Sequence, residues 1–190
     1  MLTIRKGGHR DLERLYSAME MDFDKRELLP KLAIHKAMMR GEQELLVFYD
    51  EESEMTLGYA LVMCRSVYGY VLLKYFAILP WFREQGLGVL AMRLLNKRYA
   101  DRQGILAELT VFDDESGDYL RKLRIFFARF GYQDVPSDYR LGGAMVDLMC
   151  KPIRGTAEIA PVAPRMILDF YSRVLRPVSY ERMVELHPVE

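Results

Sequence analysis

The chain has 190 residues, 51% of them hydrophobic, with 27 basic and 27 acidic side chains. That length suits one domain with a small appendage, and the even charge balance excludes the global basic field of a nucleic-acid binder. Cys64 and Cys150 lie in apolar runs as buried thiols do, the three histidines are scattered without metal-ligand spacing, and neither a signal-peptide segment nor a bilayer-length run occurs, so the expected compartment is the cytoplasm, with no metal and no membrane partner.

In chain order, "LTIRK" is a short strand closed by Gly7 and Gly8, and Leu12, Leu15, Tyr16 and Met19 then fall at helical spacing. A second helix is predicted over residues 31–40, with Gly41 ending it. "ELLVFYD", "LGYALVMCRS" and "YVLLKYFAIL" are three strands whose short connections imply an antiparallel meander. A helical stripe follows in Leu87, Leu90, Ala91, Leu94, Leu95 and Tyr99, then the strand "ILAELTVF". A crossover this long makes that strand parallel to the one before the helix. Residues 119–130 predict a helix ended by Gly131, and residues 139–150 a hairpin turning at Gly142 and Gly143. "KPIRGTAEIAPVAP" is read as a linker, and Met166, Ile167, Phe170, Tyr171, Val174 and Leu175 form the stripe of a last helix. The expected organisation is a domain over residues 1–151 and, over 152–190, a linker with a C-terminal helical extension packed on the domain or on a partner subunit of a homodimer.

The stretch "FAILPWFREQGLGVLAMRLL" puts an arginine and two glycines between a strand and a helix. A helix start offers free N–H groups and dipole charge, and glycine lets a ligand approach the backbone, so Arg83, Glu84, Gln85, Gly86, Leu87 and Gly88 are candidate ligands of a pyrophosphate. One reading is the dinucleotide fingerprint G-x-G-x-x-A, with Glu108 twenty residues past Gly88. Against it, Pro80 and the following residues separate the first glycine from its strand, Glu108 falls inside the next strand, and an antiparallel meander comes first.

The other reading is Arg-x-x-Gly-x-Gly after "FAILPWF", which resembles the acetyl-CoA-binding signature of the GNAT N-acetyltransferase superfamily. The element order resembles that family over residues 2–151, down to the helix ending in Gly131-Tyr132. The resemblance implies an α+β fold, a three-layer sandwich with a mixed central sheet and helices on both faces. It implies that "YFAIL" splays from "ILAELTV", that pantetheine lies in that cleft on the backbone of Ala77 and Ile78, and that the pyrophosphate sits on the amides of residues 83–88. Arg121 and Lys122 are candidates for the ribose phosphate. The implied activity is transfer of acetyl from acetyl-CoA to a primary amine of a small molecule or peptide, directly within a ternary complex.

The sequence departs from the family at two positions. Where many members carry a tyrosine acid stands Phe127, still a cofactor contact, and where an asparagine is common stands Leu120. Tyr132 or Tyr119 is then the candidate acid, and Glu108, a carboxylate inside a strand that should be buried, the candidate base. Asp113, Asp114, Glu115 and Asp118 could draw a cationic acceptor to the cleft, unless Ser116 or Asp118 simply caps the next helix. Met19, Met21 and Phe23 are acceptor-side or core residues. The two departures leave an alternative function, a non-catalytic acyl-CoA-binding regulatory module.

Overall fold

The structure is a computed structural model that describes residues 1–110, 117–156, 158–175 and 183–186. Its described strands are β1 (Leu2–Lys6), β2 (Gln43–Asp50), β3 (Thr56–Met63), β4 (Val71–Ile78), β5 (Gly104–Thr110), β6 (Gln133–Val135), β7 (Tyr139–Leu141), β8 (Ala144–Pro152) and β9 (Val184–Leu186). They join in the order β1-β2-β3-β4-β5-β8-β7-β9, with β6 also paired to β8. The helices are α1 (His9–Asp22), α2 (Lys31–Met39), α3 (Leu87–Arg98), α4 (Gly117–Ala128) and α5 (Ala163–Val174), and Pro80–Phe82 forms a 3-10 turn.

Strand alternation sorts the side chains into two cores. On β5, Ile105, Ala107 and Leu109 pack with α3 and α4, while Leu106 packs on the opposite face with α1, α2 and α5. The result is the expected three-layer sandwich. The meander is antiparallel from β2 to β4, and the single parallel pair among the described strands is β4 with β5, both as the connection lengths require. The hairpin turns at Gly142 and Gly143, whose φ values of 57° and 87° suit residues without a Cβ.

The C-terminal stripe is consumed within its own chain. Met166, Ile167, Phe170, Tyr171 and Val174 of α5 are buried in the same core as Leu12, Met19 and Ile34. Beyond α5, β9 pairs antiparallel with β7, so the extension returns to the sheet. The sequence reading does not contain β6 or β9, since three residues are too few to show an alternation. It also takes Lys151 and Pro152 as linker, whereas they complete β8, and Ile159 within that stretch is core.

Candidate active site

The cleft begins where two strands stop pairing. β4 and β5 pair only at Val71–Ile105, Leu72–Leu106 and Leu73–Ala107. Among the described residues β4 has no partner on that side from Lys74 onward, while β5 stays paired to β8 as far as Thr110. The divergence coincides with an irregularity in β4. Leu61 of β3 faces Tyr75 and Val62 faces Leu73, which leaves Lys74 as an extra residue between two registers. Such a bulge re-aims the strand, and Leu72 and Tyr75 on either side of it enter the same core.

A cavity of about 760 Å³ occupies the gap. Phe76, Leu123, Phe126 and Phe127 form its apolar wall, and Ala77 and Ile78 line it where expected. Phe127 is buried and stands edge-on to Tyr132, with centroids 5.0 Å apart. Leu120 packs in the core of that layer.

At the cavity mouth lies the glycine turn. Gly86 caps α3 with φ 74°, and Glu84 also has a positive φ of 63°. Among the described residues nothing accepts from the N–H groups of Glu84, Gln85, Gly86, Leu87 and Gly88. Left-handed residues alternating with extended or helical ones turn successive N–H groups toward one concavity, an anion nest at a helix start. A Cβ at Gly86 would meet nothing within 4 Å, and one at Gly88 would make only ordinary contacts with Ile78 and Phe126. Space outside the turn has been kept open by residue choice.

Arg83 behaves otherwise than expected. Its N–H donates to Pro80 O, its Nε donates to Ile78 O at 2.8 Å, and its Nη2 donates to Asp22 Oδ1. Asp22 also accepts from the Tyr59 hydroxyl at 2.8 Å. Arg83 therefore braces the end of β4 against the end of α1, which leaves the unpartnered amides of residues 84–88 as the candidate cradle. Arg121 pairs with Asp118 at 3.1 Å, and Arg121 and Lys122 are exposed; neither lines the cavity.

At the inner end of the cavity is a buried polar cluster. Lys74 Nζ donates to Glu108 Oε2 at 2.9 Å, with side-chain exposures of 0% and 1%. Tyr171 of α5 donates to Glu108 Oε2 at 2.7 Å and Tyr139 of β7 to Oε1 at 2.8 Å. Glu27 Oε2 lies 3.7 Å from Lys74 Nζ on the cavity side. Burial raises the Glu27 carboxyl above its usual range, and the Lys74 ammonium partly opposes this. Burial first, and then the Glu108 charge, push both the Tyr139 and Tyr171 phenols well above theirs, so both stay donors.

The candidate catalytic residues thus part company. Glu108 lines the cavity, but its carboxylate is committed to three donors, so it serves to fix Lys74 and is poorly placed to take up a proton. Tyr132 does not line the cavity: its hydroxyl donates to Asn96 Oδ1 at 3.1 Å beneath α3, and its position as the buried aromatic closing α4 removes it as an acid. Tyr119 does line the cavity, near Asp22 and Arg83, and is 61% exposed. On the acceptor side Met21 and Phe23 line the cavity, whereas Met19 is core. Asp113, Asp114, Glu115 and Ser116 lie outside the described residues. Sequence reasoning missed Lys74 and Glu27. The lysine carries the same signal as Glu108, a lone charge within the apolar run "VLLKYFAI", while Glu27 sits in a polar segment with no such contrast.

The dinucleotide reading meets the same geometry. β4 runs antiparallel to β3, and Glu108 is buried in mid-strand on a lysine, unavailable to a ribose.

No family model and no curated protein matches the chain by sequence. Solved structures do match it in shape. A protein assigned to the GNAT family of acetyltransferases, from Bacteroides thetaiotaomicron, superposes with TM-score 0.70 and 15% identity, over 92% of this chain and 99% of that one. The spermidine N-acetyltransferase of Vibrio cholerae, in complex with CoA and spermine, gives 0.62 and 11%, over 80% and 95%. The ribosomal-protein-S18-alanine N-acetyltransferase of Escherichia coli gives 0.59 and 15%, over 83% and 97%. Splayed parallel strands, an amide cradle at the α3 start and these matches agree: the chain has the fold of the GNAT N-acetyltransferases.

Proposed function

We propose that the protein is an acetyl-CoA-dependent N-acetyltransferase that acts on a primary amine of a small molecule or peptide by direct transfer in a ternary complex. The observation that carries this reading is the divergence of β4 from β5 at Lys74, opening onto unpartnered amides at the α3 start. Acetyl-CoA brings an acyl group already activated as a thioester. The residues present fit it. Amides 84–88 suit the diphosphate, the unpaired edge of Ala77 and Ile78 suits the amides of the pantetheine arm, and Phe76, Phe126 and Phe127 suit its methylene groups. From Ile78 back to Lys74 the strand runs about 13 Å at about 3.3 Å per residue, comparable to that arm.

The acceptor side favours a cation. Among the described charged residues lining the cavity away from Glu84 of the cradle, Asp22, Glu27 and Glu108 outnumber Lys74 and Arg83. The amine must reach the thioester neutral, yet an alkylammonium with pKa near 10 is only about 0.1% neutral at pH 7. A carboxylate beside a desolvated ammonium lowers that barrier. With phenylalanine at 127, the departing thiolate leaves unaided or with help from Tyr119, since a thiol pKa of about 8.5 makes it a tolerable leaving group. The matched acetyltransferases that act on spermidine and on a ribosomal protein support an amine acceptor.

The single tryptophan, Trp81, is exposed beside the cradle and supplies the assay. Saturable quenching by CoA, and thiol release from acetyl-CoA on an amine panel, are the expected results. Tight CoA binding without thiol release on any amine favours the binding-module reading, suggested by Phe127 and Leu120; absence of CoA binding overturns both.

A further inference from the structure

We infer that Glu27, held beside the buried Lys74–Glu108 pair, is the group that takes the proton from the acceptor ammonium. The inference rests on the acetyl-transfer reading above and deepens it.

Four carboxylates line the cavity among the described residues, and three are excluded by what they touch or where they stand. Asp22 is held by Arg83 and Tyr59. Glu108 is held by Lys74, Tyr139 and Tyr171. Glu84 is exposed on the cradle, at the diphosphate end of the cleft. Glu27 remains, and its one ion pair among the described residues, to Lys74 at 3.7 Å, is too long for a hydrogen bond. Its side chain keeps 9% exposure where that of Lys74 has none, so of the two it is the more open to an acceptor in the cavity.

The segment is also rigidly placed. The Tyr75 hydroxyl donates to the Glu27 carbonyl at 2.9 Å and accepts from the Leu29 N–H at 2.8 Å, so β4 itself fixes where Glu27 stands. Phe23 packs against the same tyrosine with its ring tilted by 41° and centroids 4.5 Å apart. Around the Glu27 carboxylate stand Lys74 of β4, Glu108 of β5, Tyr139 of β7, Tyr119 of α4 and Asp24 of its own segment. Burial is the largest influence and raises the carboxyl; Lys74 and then the neighbouring Thr110 hydroxyl lower it, and Glu108 and Asp24 raise it further. A carboxylate whose carboxyl is raised in this way holds a proton better than a free one, as a general base must.

The step balances as follows. The acceptor ammonium gives one proton to a Glu27 oxygen. The freed nitrogen lone pair forms a C–N bond to the thioester carbonyl carbon, and the C–S bond breaks with its electron pair on sulfur. The second nitrogen proton ends on that sulfur, and Glu27 returns its proton to water.

The test is the pH profile of thiol release from acetyl-CoA by the full chain and by Glu27→Gln. The probes are spermidine, ethylenediamine, an alanine-terminated tripeptide, and methoxyamine, an amine already neutral at pH 7. Expected are an unchanged CoA affinity by Trp81 fluorescence, a kcat on the best alkylamine lowered by about 10²–10⁴, loss of the acid limb, and a much smaller deficit on methoxyamine. Native kcat and an intact limb in Glu27→Gln overturn this inference alone. An equal deficit on methoxyamine and alkylamines overturns it too, because a base is then not what was removed. If the native chain releases no thiol with any amine, the transfer reading falls and this inference falls with it.

Discussion

The two ends of the cleft are built by opposite means. The cradle is local: its turn, its αL residues and its helix start all lie within residues 80–88, and the Arg83–Asp22 brace ties it to a distant part of the chain. The buried cluster is assembled from afar. Glu108 bonds to residues 34, 31 and 63 positions away, on β4, β7 and α5. The comparison teaches where each kind of damage will appear. Changes at the cradle should fall mainly on ligand affinity, and changes at the cluster mainly on folding, because a charge buried without its partner has no water to turn to.

Lys74→Met is the sharpest test of that division. It leaves Glu108 and Glu27 in the interior with no cation among the described residues around them. Removing one partner of a buried pair costs about 3–5 kcal/mol, and urea denaturation should show a loss of that size. Adding Glu108→Gln in the same chain should restore most of it, since the neutral amide can accept from one of Tyr139 and Tyr171 through its oxygen and donate to the other's hydroxyl oxygen through its NH2. A single variant as stable as the native chain would mean that the pair is solvated and that the cluster is no different in kind from the cradle.

Tyr171→Phe comes next and asks whether the C-terminal helix belongs to the site. The hydroxyl it removes is a fully buried donor to a carboxylate, a contact worth about 1.5–3 kcal/mol. The expected loss is of that order, with kcat reduced and CoA affinity kept. If neither stability nor turnover moves, α5 is packing alone and the C-terminal extension stands outside the site.

The same contrast explains what could be read in advance. The cradle was legible because a strand, an arginine, two glycines and an amphipathic helix follow one another in sequence. The sandwich was legible because apolar periodicity and connection lengths constrain it strongly. The cluster was half legible: Glu108 stood out as a charge in an apolar strand, but its partners are set by register. Lys74 meets Glu108 only across the gap between β4 and β5, 34 residues away in the chain, and Tyr171 looks like one more apolar position on α5. Arg83 was read as a cation for the ligand because its partner, Asp22, lies 61 residues away. Tyr132 was offered as an acid from its place in the chain, while its direction depends on how α4 settles against Asn96 of α3.

At the cradle, Gly86→Ala should reverse the pattern. A Cβ there meets no atom, so the only internal cost is that of an L-residue at φ 74°, about 1–2 kcal/mol. CoA affinity should fall further than that cost suggests, by tenfold or more, about 1.4 kcal/mol on top, because the methyl group occupies space that the diphosphate needs. Fluorescence titration at Trp81 and a urea melt on the same sample separate the two effects. A variant that binds CoA as the native chain does would place the diphosphate elsewhere.

Glu84→Gly carries the smallest expected effect and the most specific one. Glu84 holds φ 63° without the side-chain freedom that makes such a value cheap, so the native turn stores about 1–2 kcal/mol. Glycine releases that strain but gives back about 0.5–1 kcal/mol in unfolded-chain entropy. The net should be a gain of a few tenths to about 1 kcal/mol in urea, and CoA affinity should stay within about twofold, because the amide and not the carboxylate faces the ligand. A loss of stability would show that the Glu84 side chain holds the turn through contacts. A rise in CoA affinity well beyond twofold would show that its charge opposes the diphosphate, and the cradle would then be a balance of amides against a carboxylate and no longer a simple nest.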